Sequence, residues 1–283
     1  MDAQGLAVLI ALAAVPILVL VVWAARSRLT RVRRARLRKK RAPSSLVDVL
    51  NRNVSIYSLL PDALRDELHG HINVFLKEKD FIGCDGLEIS DEIRFTIAAL
   101  ACVLLLNRQT DYFPGFSSIL IYPESYDATN VSFDGHLEIR RTTRRAGESW
   151  YRGPVVLSWK DVLHGASDAG DGYNVVLHEF AHKLDEENDG ANGLPILRDR
   201  AHYESWAEVL GREYESLESR VARGRNRVLD AYGLTSPSEF FAVATESFFE
   251  KPAAMRDRIP DLYEQLRTYY CVDPASWKRA API

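Results

Sequence analysis

Asn174-Val175-Val176-Leu177-His178-Glu179-Phe180-Ala181-His182-Lys183-Leu184-Asp185 is the stretch on which the reading of this 283-residue chain turns. Side chains four residues apart on a helix lie one above the other, so His178 and His182 leave one face at a spacing that suits a single zinc ion. Glu179, one step round, can reach the water on that ion. Zinc lowers the pKa of its bound water from about 15.7 to about 7, and a nearby carboxylate can take the proton and pass it to a leaving amine. Val175, Val176, Phe180, Ala181 and Leu184 give the same segment an apolar face of helical period. Asp185 returns to the histidine side one turn after His182, where a carboxylate can accept the second ring N–H of a ligand histidine. The competing reading is an ordinary core helix that carries histidines; the apolar face and the spacing together favour the metal.

Outward from this helix, charge divides the chain. Ten Lys/Arg and no acids fall between Arg26 and Arg41, whereas residues 42–283 carry 26 basic against 38 acidic residues, a net charge of −12. An acidic body argues against a nucleic-acid partner. Gly5 to Ala25 is an uncharged run of 21 residues, long enough to cross about 30 Å of hydrocarbon as a helix. Asp2 precedes the run and the positive charge follows it, the reverse of a cleaved signal peptide. The expectation is one transmembrane anchor over residues 1–25, a basic collar and linker over 26–50 on the cytoplasmic side, and a catalytic domain over 51–283 facing the cytoplasm. A cleaved N-terminus with an envelope-facing body is the weaker alternative. Cys84, Cys102 and Cys271 form no C-x-x-C pair, which argues against a thiolate metal site or a disulfide framework and leaves inert core thiols.

Along the body, Pro61 and Asp62 open a helix with Leu64, Leu68, Ile72, Phe75 and Leu76 on one side, so His69 and His71 read as surface residues. Ser90 caps a second helix whose later half, Ile97 to Leu106, is apolar all round and therefore buried. Ile119 to Tyr122, Leu137 to Ile139 and Trp150 to Trp159 read as strands, with His136 structural. The last strand is expected at, or next to, the sheet edge on which a zinc peptidase holds its substrate. His164 has no evident partner. Asp185 to Gly190 spaces its acids like a calcium loop, but Ile196 stands where a bidentate Glu is needed, which leaves an acidic surface loop. Ala201 to Arg223 is a charged helix with Trp206, Val209, Leu210 and Leu217 facing in.

Two histidines leave a catalytic zinc one protein ligand short. His202 does not fit a closely following third histidine, so the ligand should be a glutamate on a later helix. Ser236 to Phe249 supplies one, with Pro237 at its first position and a Ser236 to Glu239 capping pattern. Glu239 and Glu246 lie two turns apart on one face of it, and period alone does not choose between them.

The blocks His178 to Asp185, Gly153-Pro154-Val155-Val156-Leu157-Ser158-Trp159, and Asp230-Ala231-Tyr232 followed by Pro237-Ser238-Glu239-Phe240-Phe241-Ala242-Val243 together resemble the Mlc titration factor A family of zinc peptidases. That family is similar in its catalytic core to the protease domain of anthrax lethal factor. The resemblance runs from about Ser55 to Pro274. It implies an α+β zincin fold of the gluzincin type, with a small mixed sheet and helical N- and C-terminal parts. It further implies His178, His182 and Glu239 as zinc ligands, Glu179 as general base, and Tyr232 as a hydroxyl that stabilises the oxyanion. Peptide or protein substrates and an aminopeptidase-like activity follow from it. The founding member also titrates the glucose repressor Mlc, so the rival expectation is a non-catalytic module that sequesters a transcriptional regulator at the membrane.

Overall fold

Apolar residues alternate through Ser118-Ile119-Leu120-Ile121-Tyr122, with Ile119 and Ile121 fully buried and their neighbours half-exposed, as a strand covered on one face requires. This is β2 of a computed structural model. It describes the backbone of residues 3–134, 137–145, 147–149, 153–188, 190–224 and 228–278, and the side chains of these outside 3–14, 126–145 and 148–149. His136, Trp150 and the first turns of the expected anchor therefore lie outside the described side chains. The chain divides into two units, Met1–Arg41 and Ala42–Ile283.

The first unit is one helix, α1, Ala3–Arg38, which runs unbroken through Pro16 and the basic collar. Among the described residues no helix is long and apolar enough to cross a membrane. The second unit begins at Ala42. Helix α2, Ser44–Asn53, straddles the expected boundary at residue 50 and buries Leu46, Val49 and Leu50 in the body. The i, i+3, i+4 spacing of these three residues is the apolar stripe of a packed helix.

The remaining elements are α3 (Asp62–Glu78), β1 (Asp80–Gly83), α4 (Asp91–Val103), β2 (Ser118–Tyr122), β3 (Tyr126–Asp134), β4 (Leu137–Arg145), β5 (Gly147–Ser149), β6 (Val155–Ser158), α5 (Trp159–Ser167), α6 (Val175–Asp185), α7 (Arg200–Ala222), α8 (Pro237–Glu250), α9 (Pro252–Arg258) and α10 (Pro260–Tyr270). Helices dominate, and the sheets are small, an α+β arrangement. The main sheet is mixed, in the order β1-β2-β6-β5. Phe81 pairs with Ile119 and Ile119 with Val155 in parallel, while Gly147 pairs with Leu157 antiparallel. β3 and β4 form a separate antiparallel pair that contains the expected Leu137 to Ile139 strand. The strand expected up to Trp159 stops one residue short of it. Ser158 Oγ accepts the N–H of Asp161 and so starts α5 at Trp159.

α4 is buried on every side from Phe95 to Val103, and Ser90 Oγ caps it by accepting the N–H of Ile93, as the sequence reads. His71 departs from its expected place at the surface. It is fully buried, with Nδ1 at 2.9 Å from the Tyr112 hydroxyl and Nε2 at 3.2 Å from Glu67 Oε1. The reason is positional: His71 follows Leu68 by three residues and precedes Phe75 by four, which puts it on the apolar stripe. Cys102 is buried as expected, whereas Cys271 is exposed.

α6 packs against α8, β5, α4, α5 and β6. Its back face carries Phe180, whose ring centre lies 5.7 Å from Phe75, 5.0 Å from Phe113 and 5.8 Å from Phe116. The loop bearing the last two is held by Lys79, a buried lysine whose ammonium donates to the Phe113 and Phe116 carbonyls at 2.7 and 2.6 Å. Removing the hub should be costly. Phe180→Ala is expected to lower stability by about 3–5 kcal/mol in denaturant unfolding, and a loss below about 1 kcal/mol would mean that the cluster does not support α6.

Candidate metal centre

The site is built where α6 and α8 face one another. Asn174 starts α6 by accepting the N–H of Leu177 on its side-chain oxygen. Ser236 starts α8 in the same way by accepting the N–H of Glu239. These two caps fix the helix ends that carry the functional side chains.

Three side chains converge between the two helices. His178 Nε2 stands 3.2 Å from His182 Nε2 and 2.9 Å from Glu239 Oε2, and His182 Nε2 stands 3.4 Å from the same oxygen. Donors about 2.0–2.1 Å from a tetrahedral ion are about 3.3–3.4 Å apart. The three atoms therefore already have the mutual spacing of a coordination set, and together they could hold a metal ion. The histidine side chains are 13% exposed and Glu239 21%, so their meeting point is open to solvent on one side.

The other ring nitrogens fix which atoms face inward. Glu246 Oε1 lies 2.7 Å from His178 Nδ1. His182 Nδ1 lies 3.0 Å from Ser238 Oγ, whose own hydroxyl donates to Asp185 Oδ2 at 2.8 Å. A carboxylate accepts only, and the Ser238 proton is already committed, so both Nδ1 atoms carry hydrogen and donate. Both Nε2 atoms are left to offer lone pairs at the shared point. Two imidazole lone pairs and a carboxylate at such separations repel one another unless a cation lies between them. The donor set, its spacing and its outer partners thus fit a zinc-sized divalent ion.

A proton competes with a metal ion for the shared point, because the surrounding acids favour a second ring proton on His178. Burial works against charge on His178, but Glu246 and the bonds to Glu239 and Glu246 outweigh it and hold its pKa well above the ordinary value. Burial pushes Glu239 the other way, yet its bonds to His178 and His182 bring it down to about 2. Glu179 is only 5% exposed, and burial raises its pKa against the opposing pull of His178 and His182. It sits beside the sheet edge: a Cβ on Gly147 of β5 would stand 2.6 Å from Glu179 Oε1. β5 is thus the edge next to the site, and β6 is its neighbour.

Tyr232 lies in a 3-10 turn, Ala231–Leu234, whose start is tied by the Tyr232 N–H donating to Asp230 Oδ1 at 2.7 Å. It is 55% exposed, with its ring centre 6.0 Å from that of His178. Asp185 does not meet a histidine directly; Ser238 is interposed. Nor is Asp185 part of an acidic surface loop, since it is fully buried and accepts the N–H groups of Gly193 and Leu194 at 2.8 and 2.9 Å. His164 has a neighbour after all, the Tyr173 ring at 5.7 Å. Sequence reasoning missed three roles: Glu246, there a candidate ligand, as partner of His178, Ser238 as partner of His182, and Asn174 as cap. Asn before an apolar helical run was a readable cap signal. The roles of the other two depend on how α6 and α8 are offset, which neither helix states by itself.

Comparison with known proteins gives the same direction. The profile of the glucose-regulated metallo-peptidase M90 family matches residues 29–271. The chain belongs to this family. Among its relatives, an uncharacterized protein of Synechocystis, slr2042, is 39% identical over 228 residues, covering 80% of this chain and 83% of its own. Mlc titration factor A of Klebsiella pneumoniae is 34% identical over 210 residues, covering 72% and 78%. Mlc titration factor A of Escherichia coli is 30% identical over 227 residues, covering 78% and 84%. M90 membership makes the chain metallopeptidase-like and agrees with the resemblance read from its motifs.

In metal analysis of the purified protein, Glu239→Ala is expected to lower occupancy more than Glu246→Ala, because one carboxylate meets the shared point and the other an outer ring nitrogen. The reverse order would move the ligand to Glu246.

Proposed function

We propose that this M90 member is a zinc-dependent peptidase of the zincin class and gluzincin type, in which His178, His182 and Glu239 hold the ion and Glu179 is the general base. The observation that carries the reading is the convergence of those three donors beside a buried glutamate. A zinc ion held there would polarise the scissile carbonyl and lower the pKa of the water it binds to about 7.

The chain's own groups account for the rest. Glu179, adjacent in sequence to the first ligand, takes the proton of the attacking water and delivers it to the departing amine nitrogen. Its burial keeps its pKa above the ordinary carboxylate value, which suits a group that must be protonated in mid-cycle. Glu246 and Ser238 hold the ligand rings in one tautomer. Tyr232, on the exposed side of His178, offers its hydroxyl to the oxyanion of the tetrahedral state. The free side of β5 accepts the substrate backbone as an added strand. Substrates are peptides or proteins, and an aminopeptidase preference follows only from the family resemblance.

Location belongs to the same proposal. The uncharged run from Gly5 to Ala25, the exposed apolar side chains from Val15 to Trp23, and the collar from Arg26 to Arg41 support a single N-terminal membrane tether, with the body on the cytoplasmic side. The acidic body supports a protein rather than a nucleic-acid partner.

A second reading rests on the name of the relatives. Proteins called Mlc titration factor A point to capture of a transcriptional regulator, with catalysis dispensable. An intact H-E-x-x-H with three protein donors among the described residues supports the peptidase, since a purely structural site is normally closed by four.

The deciding experiment is metal analysis with a peptide-library cleavage profile, wild type against Glu179→Gln. The variant should keep its metal and lose turnover by about 10²–10⁴-fold; undiminished cleavage would reject the base assignment, and regulator pull-down with no cleavage by wild type would favour the second reading. Tyr232→Phe is expected to cut kcat by about 10²-fold with little change in KM, and wild-type kcat would remove Tyr232 from the oxyanion.

A further inference from the structure

α8 carries a third acid that the proposed chemistry does not use. Glu239, Glu246 and Glu250 are spaced by seven and four residues, which keeps them on one stripe of the helix facing α6. The first meets the two histidines and the second meets His178 Nδ1. The third, only 2% exposed, meets the start of α6: Glu250 Oε1 accepts from Asn174 Nδ2 at 3.0 Å.

Asn174 is a junction. It is 1% exposed; its side-chain oxygen accepts from Leu177 N, and its Nδ2 also donates to the Gly165 carbonyl at 3.0 Å. With its amide fully engaged, its orientation is set, and its backbone N–H points at Glu246 Oε2 at 2.6 Å. The other oxygen of that carboxylate, Oε1, holds His178. A continuous chain of hydrogen bonds therefore runs from Glu250 through Asn174 and Glu246 to a ring of the metal centre. We propose that Glu250 is a positioning residue for His178, acting through Asn174 and Glu246 to set how tightly the centre holds its metal. This rests on the reading that His178 is a ligand.

The surroundings of Glu250 explain why a carboxyl group works there only in its neutral form. Asn174 faces it from α6, Asp168 and Asp171 from the turn before α6, and Glu246 from its own helix. Lys251, the next residue, brings its ammonium to Gly172, where a Cβ would stand 2.5 Å from Nζ. Glu250 Oε2 has no hydrogen-bond partner among the described residues. Burial, with the nearby acids adding to it, raises its pKa to about 9 against the opposing bond from Asn174. Neutral Glu250 accepts from Asn174 without repelling Glu246. Once ionised, it places a second buried charge one turn from Glu246 and loosens the junction. An acid raised from 4.5 to about 9 binds its proton more tightly in the folded state, so its contribution to stability is full below pH 4.5 and is lost as pH rises towards 9.

Two variants test this on the full-length protein, read as zinc affinity by chelator competition from pH 7 to pH 10. Glu250→Gln keeps an acceptor for Asn174 but cannot ionise. Its affinity should equal that of wild type at pH 7, and the ratio of variant to wild type should climb at least about fivefold beyond pH 9, where the wild-type carboxylate forms. Its melting temperature should also gain on that of wild type between pH 5 and 9. Glu250→Leu removes the acceptor and should weaken zinc about tenfold at pH 7, the low end for outer partners of metal ligands. A ratio that stays constant to pH 10, or a folded leucine variant with wild-type affinity, overturns the inference while leaving the peptidase reading intact. Should the leucine variant fail to fold, the glutamine ratio decides alone. Wild-type protein that binds no zinc removes both the inference and the reading beneath it.

Discussion

Three lone-pair donors crowded around one point repel each other, and the body of this protein is arranged to keep them there. His178 and His182 come from successive turns of α6, and Glu239 from the first turn of α8. Each donor is braced from behind: one imidazole by Glu246, the other by Ser238 and Asp185, and the glutamate by the capped start of its helix. A divalent ion held there would convert the mutual repulsion into shared attraction. The framework supplies the geometry beforehand, so binding of such an ion would require little reorganisation.

The rigidity behind that geometry is hydrophobic. α6 is polar towards α8 and aromatic on its back, where Phe180 sits among Phe75, Phe113 and Phe116. One helix thereby serves as core and as reactive surface. The loop that supplies two of those rings places Tyr112 and Phe113 at φ of 59° and 54°, conformations that side-chain-bearing residues seldom adopt. The buried ammonium of Lys79 binds two carbonyls of this loop and lies 4.0 Å from the Phe116 ring centre, offsetting its cost.

Much of this was legible in the chain. Local rules carried the caps at Ser90 and Ser236, the buried helix at α4, the strand at β2 and the shared face of His178 and His182, since each depends on residues within one or two turns. What escaped depends on the meeting of distant segments. Period alone made Glu239 and Glu246 equivalent, because the axial offset of α6 against α8 is written in neither helix. Asp185 was rightly aimed at the histidine side, but the hydroxyl between it and His182 arrives from a residue 53 positions away. His71 was misread for another reason: an amphipathic template counts imidazole as polar, while its place between Leu68 and Phe75 turned it inward to Tyr112 and Glu67.

The stripe of acids on α8 has a consequence for how this helix can vary over evolutionary time. Each residue advances a helix by about 100°, so a single insertion or deletion between Glu239 and Glu246 would swing one of them round to the far side of the axis. Substitutions along the outer face are tolerable one at a time, but the length of this segment is not free. Its spacing behaves as a ruler, and homologous chains that retain the chemistry should keep the count of residues here even where the residues themselves have drifted.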